Sequence, residues 1–104
     1  MANQFGEQIK KLREQENLLQ RQVASQLDLD TPLLSKIERG ERTAKKEIVS
    51  RLAKLLKSDE KELLTLWLAD QLHNLAKDED VALTAMEVAG KSIKKNGGKT
   101  FYCI

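Results

Sequence analysis

The densest concentration of reactive groups in this sequence is cationic. Between residues 36 and 57, eight Lys and Arg stand against three Asp and Glu, a balance of +5 within a chain whose net charge is +2. The surplus is uneven along the whole length. Residues 1–58 hold twelve basic against eight acidic side chains, and residues 59–104 hold six against eight. A basic segment followed by an acidic one fits a polyanion-binding face with a separate second region behind it. The chemistry such groups perform is charge-assisted hydrogen bonding to phosphate, not covalent catalysis. The other candidates carry less. His73 is the only histidine, so no His/Cys metal cluster or catalytic triad can be assembled around it. Cys103 stands second from the end of the sequence, whereas a prenylation signal needs cysteine at the fourth position from the end. Asp78-Glu79-Asp80 reads as a helix start, because a calcium loop needs alternating ligands and a central Gly. There is no glycine-rich phosphate loop, and an enzymatic function is not expected.

The elements that must position the cations are helices. Apolar residues recur at helical spacings and not in alternation, so the fold class is expected to be all-α. The 104 residues suffice for a single adequate core. No apolar run is long enough to span a membrane, and the first residues lack a signal-peptide layout. One cysteine permits no internal disulfide, which makes a reducing cytoplasm the expected setting. No cofactor is expected.

A first helix is predicted over about 4–16, with Phe5, Ile9 and Leu12 on its buried stripe and Asn17 suited to a left-handed stop. A short second helix, about 20–27, buries Val23, Ala24 and Leu27. Asp30 is a strong N-cap candidate for a third helix over about 31–39, Pro32 suits its first turn, Leu34 and Ile37 form its inner face, and Gly40 stops it. A fourth helix, about 45–57, is expected to bury Ile48, Leu52, Leu55 and Leu56. Asp59 and Glu62 have capping-box spacing and open a fifth helix running to about Ala76. The acids at 78–80 suit the N-terminus of a sixth, which carries Ala82, Met86, Ala89 and Ile93 on one face and ends at Asn96-Gly97-Gly98. The boundaries predicted are a domain over 1–64 that carries the basic segment, a helical extension over 65–96, and a flexible tail over 97–104.

Two short helices joined by a tight turn, the second polar outside and followed by a basic segment, have the geometry of helix-turn-helix DNA binding. The runs Leu18-Leu19-Gln20-Arg21-Gln22-Val23-Ala24 and Leu34-Ser35-Lys36-Ile37-Glu38-Arg39-Gly40 carry a more specific signal. In type and spacing they resemble the phage-repressor-like (Xre/Cro-type) helix-turn-helix family, over roughly residues 5–64. The resemblance implies a five-helix domain, here with an additional C-terminal helix, and a transcriptional regulator that binds double-stranded DNA.

By the same resemblance, Thr31, Pro32, Leu33, Ser35 and Lys36 face base edges. Lys36 could donate to guanine, and Leu33 could touch a thymine methyl. Gln20 matches the family's phosphate-clamping glutamine. Arg21, Arg39 and Arg42, with Lys45 and Lys46, stand where phosphate contacts are expected. Two departures bear on binding. Asp28 occupies a turn position that is often Gly, and Asp28 and Asp30 place two acids near the DNA.

The fifth helix is apolar around more than one stripe. The surplus serves either intramolecular packing of the sixth helix or a homodimer interface, for which Leu66, Trp67, Leu72 and Met86 are the candidates. Two functional classes follow: a homodimeric repressor or autoregulator at a palindromic operator, cytoplasmic and nucleoid-associated, or an adapter or antitoxin whose apolar helices bind a protein partner.

Overall fold

Six α-helices form among residues 3–97, which are those described by the computed structural model: α1 (Gln4–Gln15), α2 (Gln20–Gln26), α3 (Thr31–Glu38), α4 (Lys46–Leu55), α5 (Glu60–Ala76) and α6 (Ala82–Gly97). No strand occurs among the described residues. The all-α fold is therefore as expected, and helix ends agree with the sequence pattern to within a few residues. The chain divides into two compact units, Met1–Asn74 and Leu75–Ile104.

The first unit is built around one apolar cluster. Phe5 and Ile9 enter from α1, Val23, Ala24 and Leu27 from α2 and its end, Leu34 and Ile37 from α3, and Leu63 from α5. In α4 the buried set is Val49, Leu52 and Ala53, continued by Leu56. This corrects the expected face: Ile48 and Leu55 are only partly buried. The positions 49, 52, 53 and 56 form one stripe at i, i+3, i+4 and i+7, and Ile48 and Leu55 lie on its flanks. Ala53 is small enough to have escaped notice as a core residue, which turned the predicted stripe away from its axis.

The first four helices all end in the same way. Asn17, Asp28, Gly40 and Lys57 each adopt positive φ, at 57°, 57°, 80° and 57°. After each, an amide reaches back five residues: Leu18 N to Arg13 O, Leu29 N to Ala24 O, Glu41 N to Lys36 O and Ser58 N to Ala53 O, at 2.8–3.0 Å. This is the Schellman arrangement, which satisfies terminal carbonyls and reverses the chain sharply. Three of these stops suit their residue type. Lys57 has no such preference; it follows the buried Leu56 at the end of α4.

Helix starts are less regular. Asp30 caps α3 as expected, its Oδ1 accepting from Leu33 N at 2.8 Å. At α2 the Gln22 side chain reaches back to Leu19 N at 2.7 Å. Asp59 accepts from Lys61 N at 3.2 Å, one residue before the amide that the D-x-x-E spacing predicts. The start of α1 is capped from a distance. The carboxylate of Asp70, on α5, accepts from Gln4 N at 3.1 Å and Phe5 N at 2.8 Å, which places an anion on the free amides at the positive end of the helix dipole. Asn3 instead donates to Glu38 O at 2.9 Å. Gly6 lies where α1 meets the end of α3: a Cβ there would stand 2.5 Å from Glu38 O and 2.7 Å from Ile37 O, so only glycine permits this approach.

The second unit contains α6. This helix begins at Ala82, so the acids at 78–80 lie in the turn ahead of it and not in its first turn. Val81, Leu83, Met86, Val88 and Ile93 are exposed. Gly97, assigned by the sequence pattern to a tail, is the last residue of α6. The remainder of that tail, residues 98–104 with Cys103, lies outside the described residues.

Candidate nucleic-acid interface

The pair α2–α3 is held by its buried sides. Val23, Ala24 and Leu27 pack with Leu34 and Ile37, and Leu29 in the turn is partly buried against the same cluster. Inward placement of Leu34 and Ile37 fixes the rotation of α3. Pro32 and Lys36 are exposed, and Thr31, Leu33 and Ser35 are half-buried.

Beneath this face lies a polar network that the local sequence pattern did not announce. Arg13 and Glu38 are both buried, and they meet as a fork: Nε donates to Oε2 at 2.8 Å and Nη2 to Oε1 at 3.1 Å. The remaining Arg13 nitrogen, Nη1, donates to Leu18 O at 2.9 Å. Gln20 Nε2 donates to Glu38 Oε1 at 3.0 Å. One carboxylate thus ties α1, the start of α2 and the end of α3 together. The residue expected to clamp a phosphate, Gln20, has its amide oriented by this network.

The sequence-assigned site residues fall into groups. Gln20, Ser35 and Arg39 line one groove together with Glu38 and, from α1, Glu7 and Lys10, the last a cation that the sequence pattern does not assign to the site. Leu33, Arg42 and Lys45 line another, with Asp28 and Arg51. Arg21 shares neither; it borders a third concavity with Leu18, Gln22, Ser25 and Leu55. Lys46 opens α4 and is exposed. Of the two acids near the turn, Asp30 is engaged as a cap, and Asp28 Oδ2 stands 3.6 Å from Arg51 Nη2.

Arg39 is already paired. Its Nε donates to Glu41 Oε2 at 2.6 Å and its Nη1 to Ser35 Oγ at 2.6 Å. The hydrogen bond from Arg39, above all, holds the Glu41 carboxyl below the usual carboxylate range, and the same bond raises the Arg39 pKa. Both side chains are about half exposed, so water competes for the pair and a phosphate oxygen can replace the carboxylate.

The four interface candidates differ in setting. Leu66 and Trp67 are partly buried against the core, and Trp67 Nε1 donates to Ala44 O at 2.8 Å. Leu72 and Met86 are exposed, as are Leu68 and Leu75. No group of His, Cys, Asp and Glu suited to a metal ion occurs among the described residues, and no helix there is long and apolar enough to cross a membrane.

A family model described as a helix-turn-helix domain matches residues 4–66, a span that takes in α1 to α4 and the first turns of α5. No curated protein and no solved structure matches the chain.

Proposed function

The chain belongs to the helix-turn-helix domain family, a family of Xre/Cro-like DNA-binding regulators, and from that premise we propose that it is a sequence-specific, homodimeric regulator acting at a palindromic operator. The observation that carries this reading is the setting of α3. Its outward residues Pro32 and Lys36 are exposed, and two grooves bring cations to residues of the same helix: Lys10 and Arg39 beside Ser35, and Arg42 and Lys45 beside Leu33. In this reading α3 enters the major groove. Thr31, Pro32, Leu33, Ser35 and Lys36 meet base edges, and Gln20, Arg21, Arg39, Arg42, Lys45 and Lys46 hold phosphates.

Specificity from one such helix is modest, and the base-facing set is poor in bidentate donors. A two-fold dimer would present two copies of α3 one DNA turn apart, about 34 Å. The exposed Leu68, Leu72 and Leu75 on α5, and Met86 on α6, support an apolar self-contact. In this reading the protein acts by occupying its operator, as a repressor or autoregulator in the cytoplasm, associated with the nucleoid. The same exposed leucines also support a second reading, in which they bind a different protein and DNA contact is secondary.

Two substitutions test the site. Arg42→Ala is expected to weaken binding to all sequences alike, by several-fold, and to lower the salt slope by about 1. Lys36→Ala is expected to narrow the preference for the best site over its one-base variants by about tenfold. Binding unaltered by both changes would remove α3 and its flanking loop from the interface.

A further inference from the structure

The turn between α2 and α3 determines where α3 lies, and its hydrogen bonding can be followed carbonyl by carbonyl. A helix ends with four carbonyls that have no partner within it. At the end of α2 these belong to Ala24, Ser25, Gln26 and Leu27. The Schellman reversal accounts for the first two: Leu29 N donates to Ala24 O at 2.9 Å and Asp28 N to Ser25 O at 3.3 Å. The other two are taken by one side chain from another helix. Arg51, on α4, donates from Nη2 to Gln26 O at 3.0 Å and from Nη1 to Leu27 O at 3.3 Å. The same Nη2 stands 3.6 Å from Asp28 Oδ2, at the residue whose positive φ makes the reversal.

We propose that Arg51 is a positioning residue for DNA binding: its guanidinium closes the end of α2, balances Asp28 in the turn, and so fixes the angle at which α3 is presented. The proposal rests on the DNA-binding reading of α3. It also explains how an acid is tolerated at this turn. Asp28 accepts the left-handed conformation less readily than glycine, and its charge would repel phosphate. With Arg51 beside it, that charge is balanced within the protein. The role depends on the planar fork of the guanidinium, which can reach two carbonyls at once. A lysine ammonium at this position is a single point of charge and lacks that geometry.

Arg51 also borders the groove that holds Arg42 and Lys45, so the competing role is a direct phosphate contact. The full chain carrying Arg51→Ala or Arg51→Lys separates the two. Amide hydrogen exchange at Asp28 and Leu29 is measured without DNA, and affinity is measured across a salt series for the duplex that the unsubstituted protein selects. For a positioning residue, both variants should speed exchange at these two amides by about tenfold, and both should weaken binding by a similar factor. The slope of affinity against salt should stay unchanged. If Arg51→Ala does not fold, Arg51→Lys carries the same comparison. Exchange unaltered at Asp28 and Leu29 would overturn the proposal, whether or not DNA binds. So would a slope lowered by about 1 in Arg51→Ala together with affinity restored in Arg51→Lys, which is the signature of a phosphate contact. Faster exchange in a protein whose unsubstituted form retains no duplex would overturn the DNA reading itself, leaving Arg51 as a helix stop alone.

Discussion

Glu38→Ala is expected to lower the folding stability by about 3–5 kcal/mol, the range for breaking a buried ion pair by removing one partner. The loss does not come from the attraction alone. Arg13 would remain buried with two of its donors pointing at nothing, and Gln20 would lose the acceptor that orients its amide. Arg13→Met combined with Glu38→Leu removes both charges and keeps much of the volume. Replacing a whole buried pair with apolar side chains is often neutral, so the double variant should regain most of the stability that the single change loses. Urea unfolding of the three proteins measures the difference. A cost below about 1 kcal/mol for Glu38→Ala would place the pair with solvated surface bridges and contradict its role as the tie between α1, α2 and α3.

The second large effect is on DNA binding. Five cations are assigned to phosphates in each chain: Arg21, Arg39, Arg42, Lys45 and Lys46. Each phosphate neutralised releases counterions and contributes about −0.9 to the slope of log affinity against log salt. A dimer that uses the full set on both half-sites would show a slope of about −9. Affinity should then fall by about 10⁵ between 50 and 200 mM salt. Arg39 contributes only after it exchanges Glu41 for a phosphate, a swap between two solvated partners. A titration by fluorescence anisotropy over that range reads the slope directly. A slope near zero would show that the basic segment is a solvated helix face and nothing more.

Much of the fold could be read from local pattern because local pattern dictates it. Asp30 accepts from the amide three residues on, Asn17 and Asp28 tolerate positive φ, and Leu34 and Ile37 share one face of a short helix. What escaped was contact between distant polar residues. Arg13 and Glu38 are 25 positions apart, and Asp70 lies 65 positions from Phe5. Spacing along the chain does not reveal such pairs, but one signal was present. Arg13 continues the stripe of Phe5 and Ile9, Glu38 continues that of Leu34, and Asp70 continues that of Leu63. A charged residue in line with buried apolar ones either meets an opposite charge or caps a helix, and these three do one or the other. Arg51 gave no such signal, because its carbon stem lies on the exposed side of α4 and only its tip reaches α2. The expected stripe of α4 lacks Val49 and Ala53 for a different reason: an alanine weighs little in an apolar pattern, and the isoleucine and leucine on the flanks outweigh the valine and the alanine.

The most direct test of the DNA-reading claim is selection from a pool of random-sequence duplexes, by the unsubstituted protein, at 50 and 200 mM salt. The expected result is enrichment at low salt of a palindromic site whose half-sites are centred about one helical turn apart, with retention falling steeply at the higher concentration. A retained pool with no sequence enriched above background at 50 mM salt would contradict sequence-specific recognition by α3 and shift the weight to a protein partner for the exposed leucines of α5.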